Sequence, residues 1–117
     1  MTRHIDKPWG HEEIWAETER YVGKILRITA GHRLSLQHHV RKDETIRILH
    51  GEMELEIEDN VGVMRTIQMK EGMTAHIAPY QKHRMVAVTD VELVEVSTPE
   101  LDDVVRHEDD YGRGGPA

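Results

Sequence analysis

Residues 53–58 read Met53-Glu54-Leu55-Glu56-Ile57-Glu58, a strict alternation of apolar and acidic side chains. Successive side chains of a β-strand point to opposite faces, so this alternation predicts a strand with one buried face and one solvated face. Asp59-Asn60 follows as a turn, and Val63–Met69 returns as the second strand of a hairpin. The segment therefore predicts an antiparallel sheet.

The same pattern extends outward from this hairpin in both directions. Short segments rich in β-branched residues alternate with turn residues, and no segment before residue 100 has a helical stripe over three turns. The other predicted strands are Glu12–Glu17, Tyr21–Thr29, Leu34–His39, Glu44–His50, Thr74–Ile77, His83–Thr89 and Val91–Ser97. About nine short strands predict an all-β sandwich or barrel over residues 12–98.

The chain has 117 residues, the length of one domain, so we expect a single domain over residues 1–117. Its C-terminal tail, residues 99–117, differs in character from the rest. Residues 99–106 are compatible with one or two helical turns, and the glycine-rich end is typical of a frayed terminus.

Composition excludes several classes of protein. The chain contains no cysteine, which excludes disulfide scaffolds, thiolate metal sites and cysteine nucleophiles. Its 15 Lys and Arg against 22 Asp and Glu give a net charge of −7, which argues against a nucleic-acid partner. No apolar run is long enough to span a bilayer, and the first residues lack the apolar core of a signal peptide, so we expect a cytoplasmic protein without a membrane partner.

Four polar residues are spaced as metal ligands. Gln37 and His39 are two apart on one predicted strand and so share a face. Glu44 opens the next strand, and a later hairpin of a closed sheet can bring His83 opposite. One amide oxygen, two imidazoles and one carboxylate suit a divalent first-row ion, with positions left for water or substrate. We expect Zn²⁺, with Mn²⁺, Fe²⁺, Co²⁺ and Ni²⁺ as alternatives.

These residues lie in two elements that resemble the motifs of the cupins. The first motif, G-x5-H-x-H-x3,4-E-x6-G, is matched with Gln in place of the first His, and the second motif, G-x5-P-x-G-x2-H-x3-N, is matched less fully. The matching positions are Gly31, Gln37, His39, Glu44, Gly51, Gly72 and His83. Ala78 and Tyr80 stand where the second motif has Pro and Gly. The resemblance implies a cupin-type antiparallel β-barrel, also called a jelly roll, which binds a metal through the motif residues and often forms homodimers.

A closer resemblance covers almost the whole chain. Lys7-Pro8-Trp9-Gly10, the run Arg33-Leu34-Ser35-Leu36-Gln37 and the tail from Leu101 to Arg113 look like the cupin domain of type II mannose-6-phosphate isomerases. Those enzymes interconvert an aldose phosphate and a ketose phosphate, so the resemblance implies a phosphorylated sugar as substrate. The chain departs from the usual Glu-His-Trp of these isomerases, because it has Glu44-Thr45-Ile46.

The resemblance to an isomerase gives candidate roles to three further residues. Arg33 shares predicted strand parity with Gln37, so its guanidinium would face the phosphate or the charge that develops on the sugar. His50 is a candidate general base, with Lys42 as a second candidate. The alternative function is a metal-binding cupin of another class, either a dioxygenase or a non-catalytic sugar-binding or accessory module.

Overall fold

A computed structural model describes residues 2–113 and the backbone of residues 115–116, and these residues form strands and loops without a helix. The strands, in chain order, are β1 Arg3–Lys7, β2 Gly10–Glu17, β3 Val22–Ile28, β4 Leu36–His38, β5 Glu44–His50, β6 Met53–Glu58, β7 Met64–Met69, β8 Thr74–Ile77, β9 His83–Ala87, β10 Val91–Ser97, β11 Val105–Glu108 and β12 Gly115–Pro116. A membrane-crossing helix is accordingly not found in the described part of the chain.

The strands form two six-stranded antiparallel sheets that pack face to face. The first sheet has the order β1-β2-β3-β10-β5-β8, and the second has the order β12-β11-β4-β9-β6-β7. The all-β jelly roll predicted from the sequence is confirmed, in the form of a sandwich whose two sheets do not close into one barrel.

The core lies between the inner faces of the two sheets. Ile46 and Leu93 of the first sheet and Leu55 of the second are fully buried. The predicted alternation of β6 is observed, since its apolar residues are buried and its three glutamates lie on the half-exposed outer face. One side of each strand therefore builds the core, and the same inner faces carry the polar residues described below.

The sheets extend beyond the predicted range of 12–98 at both ends. Strand β1 lies before residue 10 and pairs with β2. Residues 99–106, whose sequence is compatible with one or two helical turns, instead form turns and the start of β11, and β11 pairs with β4. The reason is tertiary: β4 has a free edge on that side, and the backbone of the tail satisfies the hydrogen-bonding groups of that edge. The tail is thus part of the second sheet.

Two turn glycines adopt the left-handed conformation but differ in their surroundings. Gly51 has a φ of +86° and Gly72 a φ of +85°. A Cβ atom at Gly51 would collide with the backbone oxygen of Asp90, whereas a Cβ atom at Gly72 would meet nothing within 4 Å. Conformational strain is therefore equal at the two sites, and steric collision occurs at only one.

We predict that Gly51→Ala destabilises the protein more than Gly72→Ala does. The left-handed conformation alone should lower the free energy of unfolding by about 1 kcal/mol in Gly72→Ala, and the added collision should bring the loss in Gly51→Ala to about 3 kcal/mol. Urea unfolding followed by circular dichroism measures both values. Equal losses in the two variants would show that the hairpin at Gly51 shifts freely away from Asp90.

Candidate metal centre

Two histidines and one glutamate meet between the two sheets. His39 follows β4 and His83 opens β9, both in the second sheet, while Glu44 opens β5 in the first sheet. The residues are 4%, 1% and 3% exposed, respectively. His39 Nε2 lies 3.8 Å from Glu44 Oε2, His83 Nε2 lies 3.5 Å from Glu44 Oε1, and the three candidate ligand atoms lie within 4.8 Å of one another.

Hydrogen bonds fix the tautomer of both imidazoles. His39 Nδ1 donates to the backbone oxygen of Asp103 at 2.5 Å, and His83 Nδ1 donates to the backbone oxygen of Gln81 at 2.9 Å. Because a carbonyl oxygen can only accept, each proton lies on Nδ1 and each neutral ring presents the bare lone pair of Nε2 to the cluster. Both Nε2 atoms are buried and have no hydrogen-bond partner in the described structure. This is the arrangement in which histidine binds a metal.

Burial keeps the two rings neutral. It lowers the pKa of His83 to about 4, and it also lowers the pKa of His39. A protonated imidazole carries a hydrogen on Nε2 and cannot bind a metal there. This form is therefore disfavoured at neutral pH.

A buried lysine links Glu44 to a second carboxylate. Lys42 Nζ lies 2.9 Å from Glu44 Oε2 and 3.0 Å from Glu95 Oε2. Burial, followed by repulsion from Glu95, raises the pKa of Glu44 to about 7. Burial alone would lower the pKa of Lys42, but Glu95 and Glu44 outweigh it and raise that pKa. Lys42 is therefore a cation at neutral pH, which disfavours the role of proton-accepting base considered for it.

The fourth predicted ligand, Gln37, lies beside the three others. Its backbone is directly opposite that of His83 in the pairing of β4 with β9, so the two side chains share a face. Gln37 Oε1 accepts a hydrogen bond from Ser35 Oγ at 3.0 Å. Because an amide oxygen has two lone pairs, this bond leaves one for a metal.

The structure does not bring Arg33 and His50 into this cluster. Arg33 Nε and Nη2 donate to the Asp110 carboxylate at 2.6 and 2.9 Å. His50 is 74% exposed, with its Nδ1 3.8 Å from Glu71 Oε1. The parity argument fails for Arg33 because β4 begins only at Leu36, and it fails for His50 because a register shift interrupts the pairing of β5 with β10.

Sequence reasoning missed the contribution of the tail to the site. The Asp103 carboxylate accepts hydrogen bonds from the backbone nitrogens of Val40, Arg41 and Lys42 at 3.0, 2.6 and 2.9 Å. These residues form the loop between His39 and Glu44, so Asp103 holds two of the candidate ligands in place. Neither strand periodicity nor ligand spacing marks Asp103, and the resemblance of the tail to the isomerases is the only signal that pointed to it.

The cluster opens into a cavity lined by charged side chains. Glu12, Lys24 and Glu95 line its wall on the first sheet, and Gln37 and Arg106 on the second. Lys24 Nζ lies 3.4 Å from Glu12 Oε1, and both residues are buried. Burying charged side chains in a small core lowers the free energy of unfolding unless they are paired. A wall of buried, paired charges is therefore typical of a binding site.

Comparisons with known proteins agree with this architecture. The family described as mannose-6-phosphate isomerase C-terminal matches residues 1–109. The xanthan biosynthesis protein XanB of Xanthomonas campestris pv. campestris is 29% identical over 95% of this chain, and the mannose-1-phosphate guanylyltransferase ManC of Salmonella typhimurium is 31% identical over 97% of it. The chain spans about a quarter of the length of these curated relatives, 24% in both cases.

Solved structures share the fold. KdgF from Halomonas sp. superposes with a TM-score of 0.72 at 22% identity, covering 86% of this chain and 88% of that chain. Oxalate decarboxylase from Bacillus subtilis at pH 4.6 superposes with a TM-score of 0.80 at 16% identity, covering 90% of this chain and 30% of that one. Another structure of the B. subtilis enzyme, which concerns its Mn(II) centres, has a TM-score of 0.73 at 16% identity, covering 84% of this chain and 27% of that one.

We predict that His39→Ala and His83→Ala each abolish binding of a single divalent ion. Each substitution removes one of two Nε2 donors, and His38→Ala is the matched control because His38 lies next to His39 but contacts His107 outside the cluster. Elemental analysis after incubation with Zn²⁺ or Mn²⁺ should find one ion per chain in the wild type and the control, and close to none in the two variants. Full occupancy in both variants would refute the ligand assignment.

We also predict that Asp103→Ala weakens metal binding without removing a ligand. Loss of three charge-assisted hydrogen bonds should loosen residues 40–42, lower the free energy of unfolding by about 2 kcal/mol and lower the metal affinity about tenfold. The neighbouring exposed residue supplies the control, Asp102→Ala. Calorimetric titration with Zn²⁺ measures the affinity, and wild-type affinity in Asp103→Ala would mean that the loop holds its shape unaided.

Proposed function

Because the chain belongs to the family of mannose-6-phosphate isomerase C-terminal domains, we propose that it is a metal-dependent isomerase that interconverts an aldose phosphate and a ketose phosphate. The observation that carries this proposal is the buried set of two bare imidazole lone pairs and one carboxylate, which opens into a charged cavity. The curated relatives are whole proteins about four times as long, so the activity of this chain by itself is the subject of the test below.

His39, Glu44 and His83 would hold the metal, with Gln37 as a fourth ligand. The Gln37 amide is neutral, as the imidazole that it replaces in the motif would be. The donor set therefore carries only the charge of −1 of the Glu44 carboxylate. When bound, a divalent ion supplies a Lewis acid that polarises the sugar carbonyl. Zn²⁺ and Mn²⁺ both suit imidazole and carboxylate donors, and the B. subtilis oxalate decarboxylase with Mn(II) centres has the same fold.

The chain's own residues must move a proton between two neighbouring carbons of the sugar. Two cavity-lining carboxylates lie outside the ligand set, Glu12 and Glu95. Lys24 lies beside Glu12. Burial alone would raise the pKa of Glu95, but Lys42 and Lys24 outweigh it and lower that pKa, which favours the ionised form that accepts a proton. Lys42, held as a cation, is placed to donate a hydrogen bond to a sugar oxygen that becomes negative.

We predict that the pure protein, supplied with Zn²⁺ or Mn²⁺, exchanges a carbon-bound hydrogen of fructose 6-phosphate for deuterium in D₂O and forms an aldose 6-phosphate. Removal of the metal with EDTA should stop the exchange, and its return should restore it. NMR spectroscopy of the recovered sugar measures both deuterium and product, with His83→Ala incubated with the same metal as the matched control.

Two outcomes of this experiment contradict the isomerase. Absence of exchange and of product with every divalent metal tested would refute it. If the sugar phosphate still binds under those conditions, the alternative of a non-catalytic sugar-binding module takes its place.

A further inference from the structure

Basic side chains outnumber acidic ones in the cavity, although acidic residues dominate the chain. Five basic and three acidic residues line it, whereas the whole sequence has 15 basic and 22 acidic residues. The acidic residues are Glu12, beside Lys24, and Glu44 and Glu95, which share Lys42. The cavity therefore contains positive charge that its own carboxylates do not balance.

The unbalanced charge belongs to residues near the chain ends. The three remaining basic residues are Lys7, Arg106 and Arg113. Arg113 is neutralised by Asp109, which accepts two hydrogen bonds from the guanidinium at 3.0 and 3.1 Å. Among the described residues, Lys7 and Arg106 have no acidic partner within 4.0 Å, and Arg106 Nε is buried without a hydrogen-bond partner. These two side chains are therefore available to bind an anion.

The sheet register places Arg106 beside the candidate metal ligands. Arg106 lies opposite Gln37 in the pairing of β11 with β4, and Gln37 lies opposite His83 in the pairing of β4 with β9. Residues opposite one another across strands share a face, so Arg106, Gln37 and His83 form one row on the inner face of the second sheet. Adjacent strands are about 4.8 Å apart, so the row spans about 10 Å between the Cα atoms of its ends. A ligand held at the metal cluster can therefore also reach the arginine.

We propose that Arg106, assisted by Lys7, binds the phosphate group of a phosphorylated sugar in this cavity. The proposal rests on the function proposed above and assigns the end of the cavity that recognises the substrate. A phosphate monoester carries a charge between −1.5 and −2 near neutral pH and needs more than one cation. The planar guanidinium of Arg106 can donate two parallel hydrogen bonds to phosphate oxygens, and Lys7 supplies a second charge. A sugar acid carries a single carboxylate of charge −1, which one arginine can neutralise by itself.

The test compares the affinities of the protein for fructose 6-phosphate and for fructose. In metal-loaded Arg106→Gln, we expect the affinity for fructose 6-phosphate, measured by calorimetry, to fall about 100-fold. The metal content should remain one ion per chain, and the affinity for fructose should fall far less than the affinity for fructose 6-phosphate. Arg106→Lys, which keeps the charge but loses the paired donors, should lose less, and Lys7→Gln about tenfold. Arg65→Gln is the matched control, since Arg65 is 65% exposed on β7 and paired with Asp59.

The outcomes separate this proposal from the isomerase proposal. Wild-type affinity for fructose 6-phosphate in both Arg106→Gln and Lys7→Gln would overturn the phosphate site whether or not the wild type is catalytic. The phosphate site is also overturned if Arg106→Gln loses as much affinity for fructose, or for the sugar acid galacturonate, as it loses for fructose 6-phosphate. In that case the arginine recognises the sugar or any anion. If the wild type binds fructose 6-phosphate through Arg106 but never exchanges deuterium, the phosphate site is supported and the isomerase proposal is refuted. Should Arg106→Gln fail to fold, Arg106→Lys and Lys7→Gln decide the question.

Discussion

Two imidazole lone pairs and a carboxylate face one another beside the cavity, and this contact explains much of the surrounding structure. Each Nε2 atom of His39 and His83 is buried without a donor, and an unsatisfied buried acceptor costs about 1–3 kcal/mol. Glu44, which faces both, comes from the opposite sheet. A cation at this point would satisfy all three groups and would also join the two sheets. In a protein of 117 residues, the same ion would therefore serve both stability and chemistry.

The groups that orient the imidazoles come from segments of irregular structure. The Asp103 carbonyl lies in the tail, and the Gln81 carbonyl lies in the turn before β9. Each of these segments is fixed in turn: the Asp103 carboxylate binds the loop between two candidate ligands, and Gln81 Nε2 donates to the backbone oxygen of Glu58 at 2.7 Å. Ligand orientation thus depends on the tail at Asp103 and on the turn before β9, as well as on the strands that carry the ligands.

Much of the fold and the centre of the site could be predicted from the sequence, because both follow from local patterns. The strands Glu44–His50, Met53–Glu58 and Val91–Ser97 were predicted with the bounds that the structure shows, since alternation directly reflects one buried face. The positions of Arg33 and His50 could not be predicted in this way, because strand parity holds only while the strand is regular. Residues 31–34 run beside β9 as isolated contacts, and Asp110, which binds Arg33, is 77 residues away in sequence. The pairing of the tail with β4 is likewise a long-range choice that no local pattern encodes.

Apart from Gln37, which is itself a candidate ligand, the departures from the cupin and isomerase motifs fall where they leave the cluster intact. Thr45 points to solvent and Ile46 is fully buried in the core, so neither enters the cavity. Tyr80 stands where the cupin motif has glycine, and it still adopts the left-handed conformation with a φ of 67°. A tyrosine in that conformation is strained by about 1–2 kcal/mol, so the surrounding contacts must hold it there. Its backbone nitrogen donates to the carbonyl oxygen of His39 at 2.6 Å, and the ring stacks on His38 with centroids 6.0 Å apart. The turn that orients the Gln81 carbonyl toward His83 is thus preserved by contacts with the ligand strand, although the residue that would form it without strain has been replaced.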